Sequence, residues 1–271
     1  MLKGRTEFHP EKKIFIGSIP LVMGTRLTGI TVGTEEYAAR AAWSEAAALA
    51  GRLEGMLNRF DPASEIGMLN AACDSGPVPV STGLGAMLAA CMEYRKRTCC
   101  LFDITKGGGS FRLYDGGRAD LCGCTVDFGG FAKGFFLRKM EDILKEHGVQ
   151  NAFVCFGNSS ILALGCHPFG DCWKVSVTDP FTGNALTERD LRDSSLSVSG
   201  NRPGYEGHIV DPRSGRKIAG RRVAVVTAMD PLDAEVLSTV AMIAGAEEIK
   251  TICSRFEGAE IQIYNDQTNG Q

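Results

Sequence analysis

The sequence predicts a single α+β domain in which mixed or antiparallel sheets carry packed helices. Three observations predict it. Apolar residues recur with a helical period over one long stretch, strand-like runs are interspersed with helices without regular alternation, and no run of glycine and proline marks a linker. At 271 residues the chain is long enough for one large core. It contains no internal repeat and no low-complexity tract.

Strands are expected over residues 13–18 and 27–32, ahead of a long helix over 35–60. In that helix Ala42, Ala46, Leu49, Leu53, Met56 and Phe60 recur at alternating spacings of four and three, one face of a helix. Glu35 and Glu36 fall in its first turn, where negative charge complements the helix dipole. It is expected to stop at Asp61–Pro62, since proline disfavours helix in the residue before it. A second helix follows over 81–97, with Leu84, Leu88 and Cys91 on its apolar face. A third runs from about 130 to 147 and closes on Gly148. Strands are expected at 152–156, 173–178, 208–210 and 222–227, then a helix from Pro231 through Met242 and a last strand at 260–264. Residues 1–20 are set apart as an N-terminal extension of a domain covering 21–271.

Composition narrows the function classes. With 44% hydrophobic and 23% charged residues and a net charge of −3, the chain has no global field to attract nucleic acid. Any anionic ligand must be held by local groups. No stretch reaches the roughly 18 continuous apolar residues of a membrane span. The polar N-terminus has no signal-peptide core and no nearby cysteine for lipid attachment, so as written the chain reads as cytoplasmic, or periplasmic if a leader has been removed. The 10 cysteines are expected to be reduced thiols. Cys99–Cys100 and Cys122–Cys124 match no zinc or cluster spacing, which ranks a cysteine-based redox or metal protein last.

Four segments carry candidate chemistry. In VDFGGFAKG, residues 126–134, a strand-like run enters Gly129–Gly130 and then a helix bearing Lys133. A helix N-terminus favours an anion such as pyrophosphate, and Lys133 adds a point charge. The GxxxxGK[ST] pattern of a P-loop is absent, and the glycine pair alone reads equally as a tight strand-to-helix turn. In DAEVLSTVAM, residues 233–242, Glu235 and Thr239 lie four apart and share a helix face. A carboxylate and a hydroxyl together suit a hard cation such as Mg²⁺, although in isolation the pair is also an ordinary helix surface. In GHIVDPRSG, residues 207–215, His208 is a candidate general base unless it is simply structural. FDITKGG, residues 102–108, places Asp103 and Thr105 before a glycine run and by itself reads as a turn.

Taken in order, these segments resemble the ApbE-type FAD:protein FMN transferases, a flavin transferase family. The resemblance is collinear from Leu21 to Tyr264 and adds VMGT (22–25), FDPASEIGMLN (60–70), a strand ending at Gly157, SVSGN (197–201) and AEVLST (234–239). It implies an ApbE-like, T-fold-related α+β domain that binds FAD and, with Mg²⁺, moves FMN onto a serine or threonine of an acceptor flavoprotein, releasing AMP. Met23, Ser64, Asn70, Asp103, Thr105, Asp127, Gly129, Gly130 and Lys133 would then line the FAD pocket. Ala132 through its carbonyl, Glu235 and Thr239 would hold the metal. His208 would help deprotonate the acceptor hydroxyl, with Lys133 at the phosphates. Against the family pattern, Glu235 replaces an aspartate, and the family's GGD and TSG turns read Gly157–Asn158–Ser159 and Val198–Ser199–Gly200. The same site with water as acceptor would be an FAD pyrophosphatase, and without chemistry a flavin-binding relative.

Overall fold

The computed structural model describes residues 3–106, 108–204 and 207–265. Period-two alternation builds its opening strands, β1 (Arg5–His9), β2 (Ile14–Val22) and β3 (Thr25–Val32). Phe15, Ile19 and Leu27 turn inward, against helix α1 (Glu36–Leu57). Gly17 and Gly29 face each other across β2 and β3, and the indole of Trp43 fills the space their missing side chains leave. A Cβ on either would stand 2.4 Å or 2.7 Å from that ring. Residues 20 and 21 both lie within β2, and β1 and β2 pair with each other in the sheet.

α1 ends three residues before the sequence predicts. The side chain of Asn58 accepts the amide of Phe60 at 3.1 Å and competes with the helix. Phe60 consequently leaves the helical face and stands exposed. A short helix unforeseen in the sequence follows, α2 (Glu65–Ala71), and after it β4 (Val78–Pro79) and α3 (Thr82–Arg97). Then come four small strands, β5 (Thr105–Lys106), β6 (Arg112–Tyr114), β7 (Arg118–Asp120) and β8 (Thr125–Val126), and the expected helix α4 (Ala132–Glu146).

The second half supplies β9 (Asn151–Phe156), β10 (Ser160–Leu164), β11 (Trp173–Thr178), β12 (Ala185–Leu191), β13 (Ser194–Gly200) and β14 (Arg222–Ala228). Helices α5 (Pro231–Ala241) and α6 (Ala246–Cys253) and strand β15 (Glu260–Asn265) complete the chain. Eight strands form one antiparallel sheet in the order β1-β2-β3-β9-β10-β13-β14-β15. Alternation gives it two buried faces. Ala152, Val154 and Phe156 of β9 join the helix-side core with α1, α3, α4 and α5, while Phe153 and Cys155 face a smaller core under the β11–β12 hairpin. The strand expected at 208–210 is absent. Gly207 has a φ of +69°, Asp211 folds its carboxylate over the amide of Arg213, and Val210 makes a single bridge to Lys217. Among the described residues no helix is long and apolar enough to cross a membrane.

Candidate functional site

The site is built where α4 begins and α5 crosses it. β8 ends at Val126, and the Asp127 carboxylate accepts the amide of Gly129 at 3.0 Å, which turns the chain toward α4. Neither Gly129 nor Gly130 has a positive φ; Gly130 contributes its missing side chain. A Cβ there would stand 2.9 Å from Thr239 Oγ1, so the turn lies directly against α5. Gly134 repeats the device one turn later, where a Cβ would come within 2.6 Å of Glu235 Cβ and 2.9 Å of Leu232 Cα. The two helices therefore touch nearly backbone to backbone, with Lys133 and Glu235 at the contact.

Glu235 is 3% exposed. A buried carboxylate must be paired or hydrogen-bonded, and each of its oxygens is. Oε1 forms an ion pair with the Lys133 ammonium. Oε2 accepts the hydroxyls of Ser160 at 2.6 Å and Ser197 at 2.9 Å. Ser238 extends this network, lying 3.0 Å from Ser197 Oγ and 2.8 Å from Ser199 Oγ while donating to the Glu235 carbonyl at 2.9 Å. Serine hydroxyls from β10 and β13 thus converge on one acidic side chain, with Ser238 of α5 bracing Ser197 beside it. On β13 the sequence signal is serine at every second position, a strand period written in polar residues, of which Ser197 and Ser199 join the network.

α5 is fixed from behind. Asp230 caps it by accepting the amide of Leu232 at 2.8 Å. Arg138 of α4 donates to Asp230 at 2.8 Å and to the Tyr94 hydroxyl at 2.8 Å, and Tyr94 of α3 donates to Asp233. Burial, with Asp233 beside it, pushes the Tyr94 phenol far up, and burial likewise raises the Asp233 carboxyl.

The other residues singled out in the sequence separate into two groups. Asn70, Thr105 and Asp127 converge on β8. Asn70 accepts the amide of Val126 at 2.8 Å and donates to its carbonyl at 3.0 Å, while Thr105 pairs with Val126 across the β5–β8 ladder. Arg59 and Lys106 lie 3.2 Å and 3.5 Å from the Asp127 carboxylate, two cations that sequence reading passed over. The Arg59 guanidinium also covers the exposed ring of Phe60, 4.1 Å from its centroid. Asp103 is held by the Thr105 amide at 2.8 Å and by Arg95 at 2.7 Å. The second group serves local structure. Ser64 caps α2 through the amide of Gly67 at 2.9 Å and donates to Asn58 at 2.7 Å. Met23 takes a φ of +48° in the β2–β3 turn, its amide donating to Glu54 at 3.0 Å. His208 stands exposed in the loop between β13 and β14.

Among the described residues no three His, Cys, Asp or Glu side chains gather to hold a metal. A cation here would rest on Glu235, Thr239 and backbone oxygens, a donor set that suits a hard ion. The close approach of the Gly130 turn to Thr239 Oγ1 brings backbone of that turn beside the hydroxyl.

Comparison with known proteins bears on the same region. The model of the ApbE family matches residues 23–120 and 111–263. The FAD:protein FMN transferase of Treponema pallidum (strain Nichols) is 27% identical over 301 residues, spanning 89% of this chain and 82% of that protein. The apo crystal structure of the Pseudomonas stutzeri flavinyl transferase ApbE superposes with a TM-score of 0.76 at 23% identity, covering 95% of this chain and 90% of that one. The flavin transferase ApbE of Vibrio cholerae gives a TM-score of 0.77 at 18% identity, over 99% and 95% of the two chains. The likeness to these two structures is one of fold.

Proposed function

Because the chain belongs to the ApbE family, we propose that it transfers the FMN half of FAD to a hydroxyl of an acceptor protein and releases AMP. The observation that carries this reading is the contact of α4 and α5, where a lysine, a buried carboxylate and a threonine meet at a helix N-terminus. Phosphoryl transfer asks for positioning and charge neutralisation more than covalent chemistry, and this arrangement supplies both.

The start of α4, with its partial positive charge, receives the diphosphate of FAD, and Lys133 donates to its oxygens. Glu235, Thr239 and the Ala132 carbonyl would hold Mg²⁺, which when bound neutralises charge on the phosphoryl oxygens. Asp127, with Arg59 and Lys106 beside it, and Asp103, held by Arg95, line the flavin-binding side as polar groups of fixed orientation. The acceptor Oγ attacks the phosphorus of the FMN half. That P–O bond forms as the bond to the AMP oxygen breaks, and the hydroxyl proton passes to an imidazole nitrogen of His208. The products are a phosphoester-linked flavin and AMP.

The test incubates the protein with FAD, Mg²⁺ and a flavinylation-acceptor domain, following AMP release and flavin fluorescence on a denaturing gel. AMP with a fluorescent acceptor band is the expected result. AMP with free FMN alone would make water the acceptor, and bound FAD without AMP would leave a flavin-binding protein.

A further inference from the structure

Glu235 is approached from two sides that differ in kind. On the sheet side, Ser160 and Ser197 project from β10 and β13 and fix Oε2 at 2.6 Å and 2.9 Å. On the α4 side, Oε1 carries the ammonium of Lys133, a side chain five times as exposed as the carboxylate, 20% against 4%. The serines are short and belong to strands in mid-sheet; the lysine is a compact charge on a flexible four-carbon stem with three rotatable donors. One partner set is fixed, and the other is able to move.

We propose that Lys133 is a resident counter-ion that neutralises Glu235 in the metal-free protein, yields it to a divalent cation, and then turns its ammonium to the diphosphate of FAD. This rests on the reading above that Glu235 takes a metal. A carboxylate this buried is strongly destabilising when left without a countercharge, so one cation or another must stand at Oε1. An ammonium and a divalent ion within a few Å of each other repel, so they do not share that oxygen comfortably. The serine hydroxyls keep the carboxylate in place while its cation is exchanged. Lys133 lies in the first turn of α4, beside the helix end that would receive the diphosphate, so release from Glu235 places its charge where the substrate's charge arrives. Metal and FAD then each strengthen the other's binding, as reciprocal linkage requires.

The experiment titrates Mn²⁺ into the metal-free full-length chain without flavin, counting free Mn²⁺ by electron paramagnetic resonance, for wild type, Lys133→Met and Lys133→Arg. Removing the competing charge should tighten Mn²⁺ binding in Lys133→Met by about tenfold or more, whereas Lys133→Arg, which keeps the charge, should bind no more tightly than wild type. Equal or weaker binding by Lys133→Met overturns the proposal while leaving the metal reading intact. Mn²⁺ binding by none of the three would overturn both. Lysine-labelled wild-type protein gives a check independent of how the variants fold. The Lys133 ε-methylene resonance should move toward that of a solvated lysine on adding Mg²⁺, and a resonance that stays in place during saturation also overturns the proposal.

Discussion

Glu235 has one methylene more than the aspartate that the family resemblance leads one to expect, and its surroundings have taken up the extra reach. Its carboxylate extends across the α4–α5 contact into a bed of serine hydroxyls, with Lys133 closing the outer side. The sequence singles out Glu235, Lys133 and Thr239, and the structure brings all three to one place. It marks Ser197 only within SVSGN and Ser160 not at all, because serine in a short run reads as turn or surface; their importance comes from a partner 38 and 75 residues away. Asn70 and Ser64 were also legible as special positions, but their side chains serve Val126 and α2. His208 is the residue whose role is most directly testable. His208→Ala should leave FAD affinity nearly unchanged while slowing transfer by about 10²–10⁴-fold. Equilibrium flavin binding beside single-turnover AMP release would show it, and unaltered turnover would remove His208 from proton transfer.

At the scale of elements, the long helices were legible because their apolar spacing is regular and their stop signals local. The strands that escaped notice have physical reasons. β10 is buried along its whole length, so its residues do not alternate, and β13 hides its alternation in serines. The meeting of α4 and α5 depends on Gly134, whose side-chain position is already filled by Glu235, Leu232 and Pro231. Gly134→Ala should cost about 1–3 kcal/mol by forcing the helices apart. Urea unfolding would measure it, and a midpoint equal to wild type would mean that the contact has slack. The loop carrying His208 is anchored differently. Arg213 donates to Asp211 at 3.1 Å and to Glu248 of α6 at 2.5 Å. The Arg213 hydrogen bond holds the Asp211 carboxyl below the usual range, and the Gly245 amide, then Arg213, does so for Glu248. A depressed carboxyl contributes stability above its unfolded value and loses it as pH falls through the folded one. The loop should therefore loosen below about pH 4. Arg213→Met should flatten the acid limb of a thermal-stability profile below about pH 5, and superimposable profiles would dismiss the anchor.

For the whole molecule, one antiparallel sheet separates two cores of unequal purpose. The helix side holds α4, α5 and the acidic centre, and the opposite side is closed by the β11–β12 hairpin. Ligand binding at the α4–α5 contact should stabilise the chain as a unit. FAD with Mg²⁺ at a hundred times its dissociation constant should add about 2.7 kcal/mol, or roughly 5–10 °C in the unfolding midpoint. Differential scanning fluorimetry with and without EDTA reads this directly, and an identical midpoint in both would count against a metal in the complex.

The division of the sheet also gives the protein a built-in pair of optical reporters. The chain has 2 tryptophans. Trp43 is wedged over the paired glycines Gly17 and Gly29 on the helix side, and Trp173, carried by the hairpin, is buried between it and the sheet, its indole nitrogen donating to the Leu164 carbonyl at 2.9 Å. Replacing either by phenylalanine leaves a single emitter on a known face. Flavin docking should then quench the two single-tryptophan chains to different extents, while global unfolding should red-shift both at the same denaturant concentration. The fold thereby allows events at one face to be followed by light without attaching a label.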